Sequence, residues 1–125
     1  MLLAIDIGNT NITIGGIRED AIVFEARIAT DRIKTSDQYG VEIKNILSLF
    51  DVAVGEIEDC IIASVVPPVF NAVCTGVIKV IGKQPMVVGL GVASPQRSNL
   101  TQLFIMNHLQ LPAAAQRLCY VSDVL

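Results

Sequence analysis

Met1-Leu2-Leu3-Ala4-Ile5-Asp6-Ile7-Gly8-Asn9-Thr10-Asn11-Ile12-Thr13-Ile14-Gly15-Gly16-Ile17 reads as an apolar strand carrying one acid near its end, a short polar turn, and a second strand. Asp6 lies where the first strand ends, so its carboxylate is placed to hold a hydrated metal ion beside bound phosphate. Gly8, without a side chain, allows a sharp turn and a close approach of the main chain to a ligand. Asn9, Thr10 and Asn11 add amide, hydroxyl and backbone N–H groups suited to phosphate oxygens. Gly, Asn and Thr are also ordinary turn formers, so a plain hairpin accounts for the same letters. The turn has no lysine, which sets it apart from the Gly-x-x-x-x-Gly-Lys-[Ser/Thr] loop, and no Gly-x-Gly-x-x-Gly occurs in the chain.

Outward from this turn the pattern is regular. Leu2 to Ile7, Asn11 to Ile17 and Ala21 to Ala29 are β-rich runs separated by short polar turns, which predicts an antiparallel meander. Thr35 followed three positions later by Gln38 forms a capping box, and Tyr39, Ile43, Ile46, Leu47 and Phe50 recur at helical spacing behind it. Cys60 to Val66 is a continuous apolar run typical of a central strand covered on both faces. Pro67-Pro68 can open a helix in its first turn, and that helix is expected to end near Gly82. Gln84 or Pro85 to Val88 supplies a fifth strand. The predicted order is β-β-β-α-β-α-β with a mixed five-stranded sheet, an α/β fold. Asn99 to Leu111 has the spacing of one more helix, which makes the tail after residue 92 helical in expectation.

Composition excludes several classes. The 125 residues are one domain's worth of chain and can bury a sizeable core. Hydrophobic residues make up 52%, charged ones 17%, and the mean hydropathy is +0.58, an apolar balance that leaves surface for a partner. A net charge of −3 without a Lys/Arg cluster argues against nucleic acid. No apolar run approaches the ~20 residues of a spanning helix, and no basic segment precedes the first apolar stretch, so neither a membrane nor a signal peptide is expected. Cys60, Cys74 and Cys119 are odd in number and lack a Cys-x-x-Cys, and they read as reduced, buried small hydrophobes of a cytoplasmic protein.

Four stretches together resemble the type III pantothenate kinases, members of the actin-like and sugar-kinase ATPase superfamily. They are Ala4-Ile5-Asp6-Ile7-Gly8-Asn9-Thr10-Asn11; Arg27-Ile28-Ala29-Thr30-Asp31 with Thr35-Ser36-Asp37-Gln38-Tyr39-Gly40; Ile61-Ile62-Ala63-Ser64-Val65-Val66-Pro67; and Met86-Val87-Val88-Gly89. They occur in the family's order and at about its spacing, so the resemblance covers about residues 1–92. It implies the ribonuclease-H-like half of the ATPase fold, with residues 1–92 as an N-terminal nucleotide-binding domain. Residues 93–125, in which only Arg97, Arg117 and Asp123 are charged, are expected to be a divergent or truncated tail, such as a frameshift product. The family's Lys-Thr-Gly, Asn-Pro and Gly-Ala-Asp segments, the last bearing its catalytic base, do not occur here, and the second ATPase domain is expected to be absent.

The resemblance implies that Asp6, Ile7, Gly8, Asn9, Thr10, Asn11, Ile12 and Thr13 surround the ATP phosphates, with Asp6 holding Mg2+ through water. Ser64 would stand at the carboxyl end of the central strand, where ligands collect in such sheets; a strand end followed by a helix cap is its other reading. Thr30, Asp31 and Asp37 are expected to cap and solvate the first helix, and Tyr39 to be core. His108 reads as a surface residue, and Asp123 lacks the glycine and alanine neighbours of the family's base, so no catalytic residue is assigned. The implied activity is ATP-dependent phosphorylation of pantothenate to 4'-phosphopantothenate, the first step of coenzyme A biosynthesis, with Mg2+ and a monovalent cation (K+ or NH4+) in a cytoplasmic homodimer. As a truncated form this chain would be weakly active or inactive. A non-catalytic, nucleotide-responsive regulatory or transcription-accessory protein is the alternative, and a fragment that does not fold stably is a third.

Overall fold

A computed structural model describes residues 1–19, 21–64, 66–90 and 119–123. The strands are β1 (Leu2–Ile7), β2 (Asn11–Arg18), β3 (Ala21–Ala29), β4 (Asp59–Ser64), β5 (Met86–Leu90) and β6 (Cys119–Asp123); the helices are α1 (Ser36–Leu49) and α2 (Pro67–Ile81). They form one sheet in the order β3-β2-β1-β4-β5-β6. β2 lies antiparallel to both β1 and β3, whereas β4 runs parallel to β1 and β5 parallel to β4. The five expected strands and two helices are therefore present in the expected order, the ribonuclease-H-like arrangement. A sixth strand is added: Cys119–Asp123 pairs antiparallel with β5 and extends the sheet at that edge. The helix expected over Asn99–Leu111 lies outside the described residues.

Strand alternation decides which side is which. Leu3, Ile5 and Ile7 of β1 join Ile12 and Ile14 of β2 and Cys60 and Ile62 of β4 in a single buried cluster with Tyr39, Ile43 and Leu47 of α1 and Val69, Val73 and Val77 of α2. Both helices thus cover the same face of the sheet, and each fully buried Ile or Val contributes roughly 1.5–3 kcal/mol. The intervening residues, Ala4 and Asp6 among them, belong to the opposite face.

Local chemistry sets the helix ends. Thr35 Oγ1 accepts the Gln38 N–H at 3.2 Å and Gln38 Oε1 accepts the Thr35 N–H at 2.8 Å, so the capping box read from the sequence is formed. α2 begins at its proline pair and ends at Gly82, whose φ of 71° is the left-handed value that glycine adopts without cost. The helices cross at glycines. A methyl at Gly76 would sit 2.8 Å from the Ser36 carbonyl oxygen and 2.9 Å from the Gly40 nitrogen, both main-chain atoms that cannot swing aside. Gly76→Ala is therefore expected to destabilise the fold by about 1–3 kcal/mol or more, read from denaturant unfolding curves.

Cys60 and Cys74 are free thiols in this core. Burial raises both, Cys60 strongly and Cys74 up to about 11. Buried as neutral thiols, they favour the native state up to the pH at which unfolded thiols ionise, and this contribution fades as pH rises further. In mass-spectrometric mapping after iodoacetamide at pH 8, both should stay unmodified in the native chain and react once it is denatured. The melting temperature should fall as pH rises from about 9 toward 11.

Candidate phosphate-binding site

The connection from β1 to β2 is the turn Gly8-Asn9-Thr10, closed by a hydrogen bond from the Gly8 N–H to the Asn11 carbonyl at 2.9 Å. Two of its carbonyls face one residue. Thr30 Oγ1 donates to the Gly8 carbonyl at 2.7 Å, and the Thr30 N–H donates to the Thr10 carbonyl at 2.9 Å. No described peptide is cis, and in a planar trans peptide the N–H points opposite to the carbonyl. The Asn9 and Asn11 N–H groups consequently point away from Thr30. Asn9, Thr10 and Asn11 are exposed. With the Gly8 and Thr10 carbonyls taken up by Thr30, the Asn9 and Asn11 N–H groups on the other side of these two peptides are the turn's candidate donors to an anion.

Gly8 makes this turn without a positive φ, the conformation that only glycine takes freely. Space is the constraint: a methyl there would lie 3.1 Å from the Asn11 carbonyl oxygen, a close contact across the turn itself.

The flanking residues divide between the two faces. Ile7 and Ile12 are buried in the helix-side core, so only their main chain is available to a ligand. Asp6 is in register with Thr13 on β2 and Ala63 on β4, and Thr13 is in register with Arg27 on β3. Asp6, Thr13 and Arg27 form a row across the face opposite the helices. No group of three or more His, Cys, Asp or Glu residues forms a metal cluster among the described residues. A single carboxylate with a hydroxyl beside it does not make a complete metal cage. It does fit Mg2+, which keeps several waters and takes one or two carboxylates plus substrate phosphate.

Ser64 is in register with Ile7 and so belongs to the helix side, at the same end of the sheet as Asp6 but on the other face. Its Oγ accepts the Val66 N–H at 3.0 Å, immediately before α2. Neither Asp31 nor Asp37 caps α1, whose N-cap is Thr35: Asp31 Oδ1 accepts the Ile33 N–H at 2.8 Å before the helix begins, and Asp37, in its first turn, pairs with Lys79 of α2 at 2.5 Å. Thr30 does not cap α1; it holds the turn. Tyr39 is fully buried, as its place on the apolar stripe implied, yet its hydroxyl donates to the Asp31 carbonyl at 2.6 Å and accepts the Asp31 N–H at 3.0 Å. Neither role of Thr30 and Tyr39 is encoded locally. The only available signal was that a phenol on a buried stripe must find a polar partner. A pocket of about 340 Å³ lies along the start of α1, lined by Lys34, Asp37, Gln38, Val41 and Glu42, and none of the turn residues contributes to it.

The model of the type III pantothenate kinase family matches residues 2–102. The chain belongs to that family. A type III pantothenate kinase of Bifidobacterium longum subsp. infantis is 48% identical over 92 residues, which is 74% of this chain and 36% of that protein. One from Listeria innocua is 38% identical over 92 residues, with the same coverage of 74% and 36%. One from Finegoldia magna is 41% identical over 88 residues, 70% of this chain and 34% of that protein. The chain thus spans about a third of the length of these relatives. The printed name of these relatives is that of a kinase. No described helix is long and apolar enough to cross a membrane.

Removing the Ser64 hydroxyl leaves the Val66 N–H without its acceptor. Ser64→Ala is expected to cost about 1 kcal/mol in chemical denaturation, the usual worth of one lost hydrogen bond.

Proposed function

We propose that this chain is the nucleotide-binding part of a type III pantothenate kinase and serves transfer of the ATP γ-phosphoryl group to pantothenate. Residues 1–92 form the nucleotide-binding unit, and Asp6 to Thr13 surround the phosphates: Gly8 to Asn11 through backbone and polar side chains, Ile7 and Ile12 through main chain only. The observation that carries this is the tie of the Gly8 and Thr10 carbonyls to Thr30, which leaves the Asn9 and Asn11 N–H groups on the side of the turn away from it. Phosphoryl transfer depends mainly on positioning and on neutralising phosphate charge, and oriented backbone donors supply both. Mg2+ bound at Asp6 through water would neutralise charge on the phosphates. Ser64 borders the same end of the sheet, with its hydroxyl already engaged by Val66. Pantothenate as substrate, a monovalent cation, a homodimer and a cytoplasmic location are part of the same proposal, drawn from the family resemblance, and no described residue is assigned to them.

Calorimetric titration of the 125-residue chain with Mg-ATP, then with pantothenate, tests the assignment. Mg-ATP is expected to bind. Asp6→Asn should weaken Mg-ATP by about tenfold to a hundredfold, the worth of a charged hydrogen bond, while leaving metal-free ATP unweakened. Absence of heat with Mg-ATP, or equal loss for both forms of the nucleotide, would overturn it.

A further inference from the structure

We infer that Thr30, held in place by Tyr39, is the positioning residue that presets the Gly8-Asn9-Thr10 turn for the phosphates of a nucleoside triphosphate. This role presupposes the nucleotide-binding function proposed above. The two bonds from Thr30 to the turn differ in kind. The one from its N–H to the Thr10 carbonyl is available to any residue except proline, whereas the one from Oγ1 to the Gly8 carbonyl requires a hydroxyl. The Gly8–Asn9 peptide is the part of the turn with least to restrain it, because Gly8 has no side chain to limit its rotation. Flipped, that peptide would present a carbonyl where a phosphate oxygen is to sit and withdraw the Asn9 N–H. The Thr30 hydroxyl opposes this flip before any ligand arrives.

Thr30 can do so only if it is itself fixed. It is half-buried at the end of β3, and the next residue, Asp31, is gripped on both sides of its main chain by the hydroxyl of Tyr39, which takes the Asp31 N–H and gives its proton to the Asp31 carbonyl. The Asp31 carboxylate adds a local turn through the Ile33 N–H. Tyr39 is fully buried on α1, so the turn is referenced through two residues to the helix layer.

The test compares Mg-ATP affinity by calorimetry on the full chain, at a temperature where melting curves show each variant folded. Thr30→Val keeps the shape and removes the hydroxyl, and should bind about tenfold more weakly, as expected for a lost hydrogen bond. Thr30→Ser restores the hydroxyl and should return affinity to within about twofold of the parent. Tyr39→Phe, which keeps Thr30 and frees the connector, should also bind more weakly, and it decides the matter if Thr30→Val gives no cooperative melt. A folded Thr30→Val with parental affinity, a serine variant no better than valine, or a Tyr39→Phe with parental affinity overturns the role of Thr30 while leaving the nucleotide-binding function intact. Failure of the unsubstituted chain to bind Mg-ATP overturns both.

Discussion

β1 pairs on both sides, antiparallel with β2 and parallel with β4, and every other placement follows from that strand's register. Leu3, Ile5 and Ile7 face the helices, and Asp6 between them faces away. A slip of one residue would turn the carboxylate into the helix-side core and move Leu3, Ile5 and Ile7 off it, at a cost comparable to the stability of a small domain. The same register that buries the core therefore holds the acid at the sheet's carboxyl end, beside the turn. Fold stability and site geometry are one constraint in this strand.

The helix layer is coupled to that site by two contacts. Gly40 and Gly76 let the backbones of α1 and α2 approach within main-chain contact, which fixes α1 against α2 and so against β4. Tyr39, one residue before Gly40, then carries the position of α1 to Asp31 and Thr30, and from there to the turn. A rigid scaffold holding a short loop through hydrogen bonds behind it is the common way to orient ligand-binding main chain.

Much of this was legible before any coordinates. The meander, the capping box at Thr35, the proline start of α2 and its end at Gly82 were readable because each depends on residues within a few positions. Ser64 was ambiguous, since a hydroxyl before a helix serves a cap or a cleft equally well, and its bond to Val66 came from the folded chain. β6 was not foreseen: Cys119–Asp123 is short, and its partner β5 lies nearly thirty residues earlier, so nothing local marks it as a strand. Gly8 was readable as a turn residue, and the folded turn adds that a methyl there would crowd the Asn11 carbonyl.

The sequence by itself determined the family, the order of elements, the apolar faces and the position of the acid and the polar turn, because periodicity and short motifs are properties of neighbouring residues. Only the tertiary structure decided which way the turn's peptides point, since that depends on Thr30, twenty-two residues from Gly8, and on a tyrosine whose hydroxyl reaches back from the next element. Peptide orientation is set by whichever groups accept and donate across the fold, and no local pattern of letters carries that information.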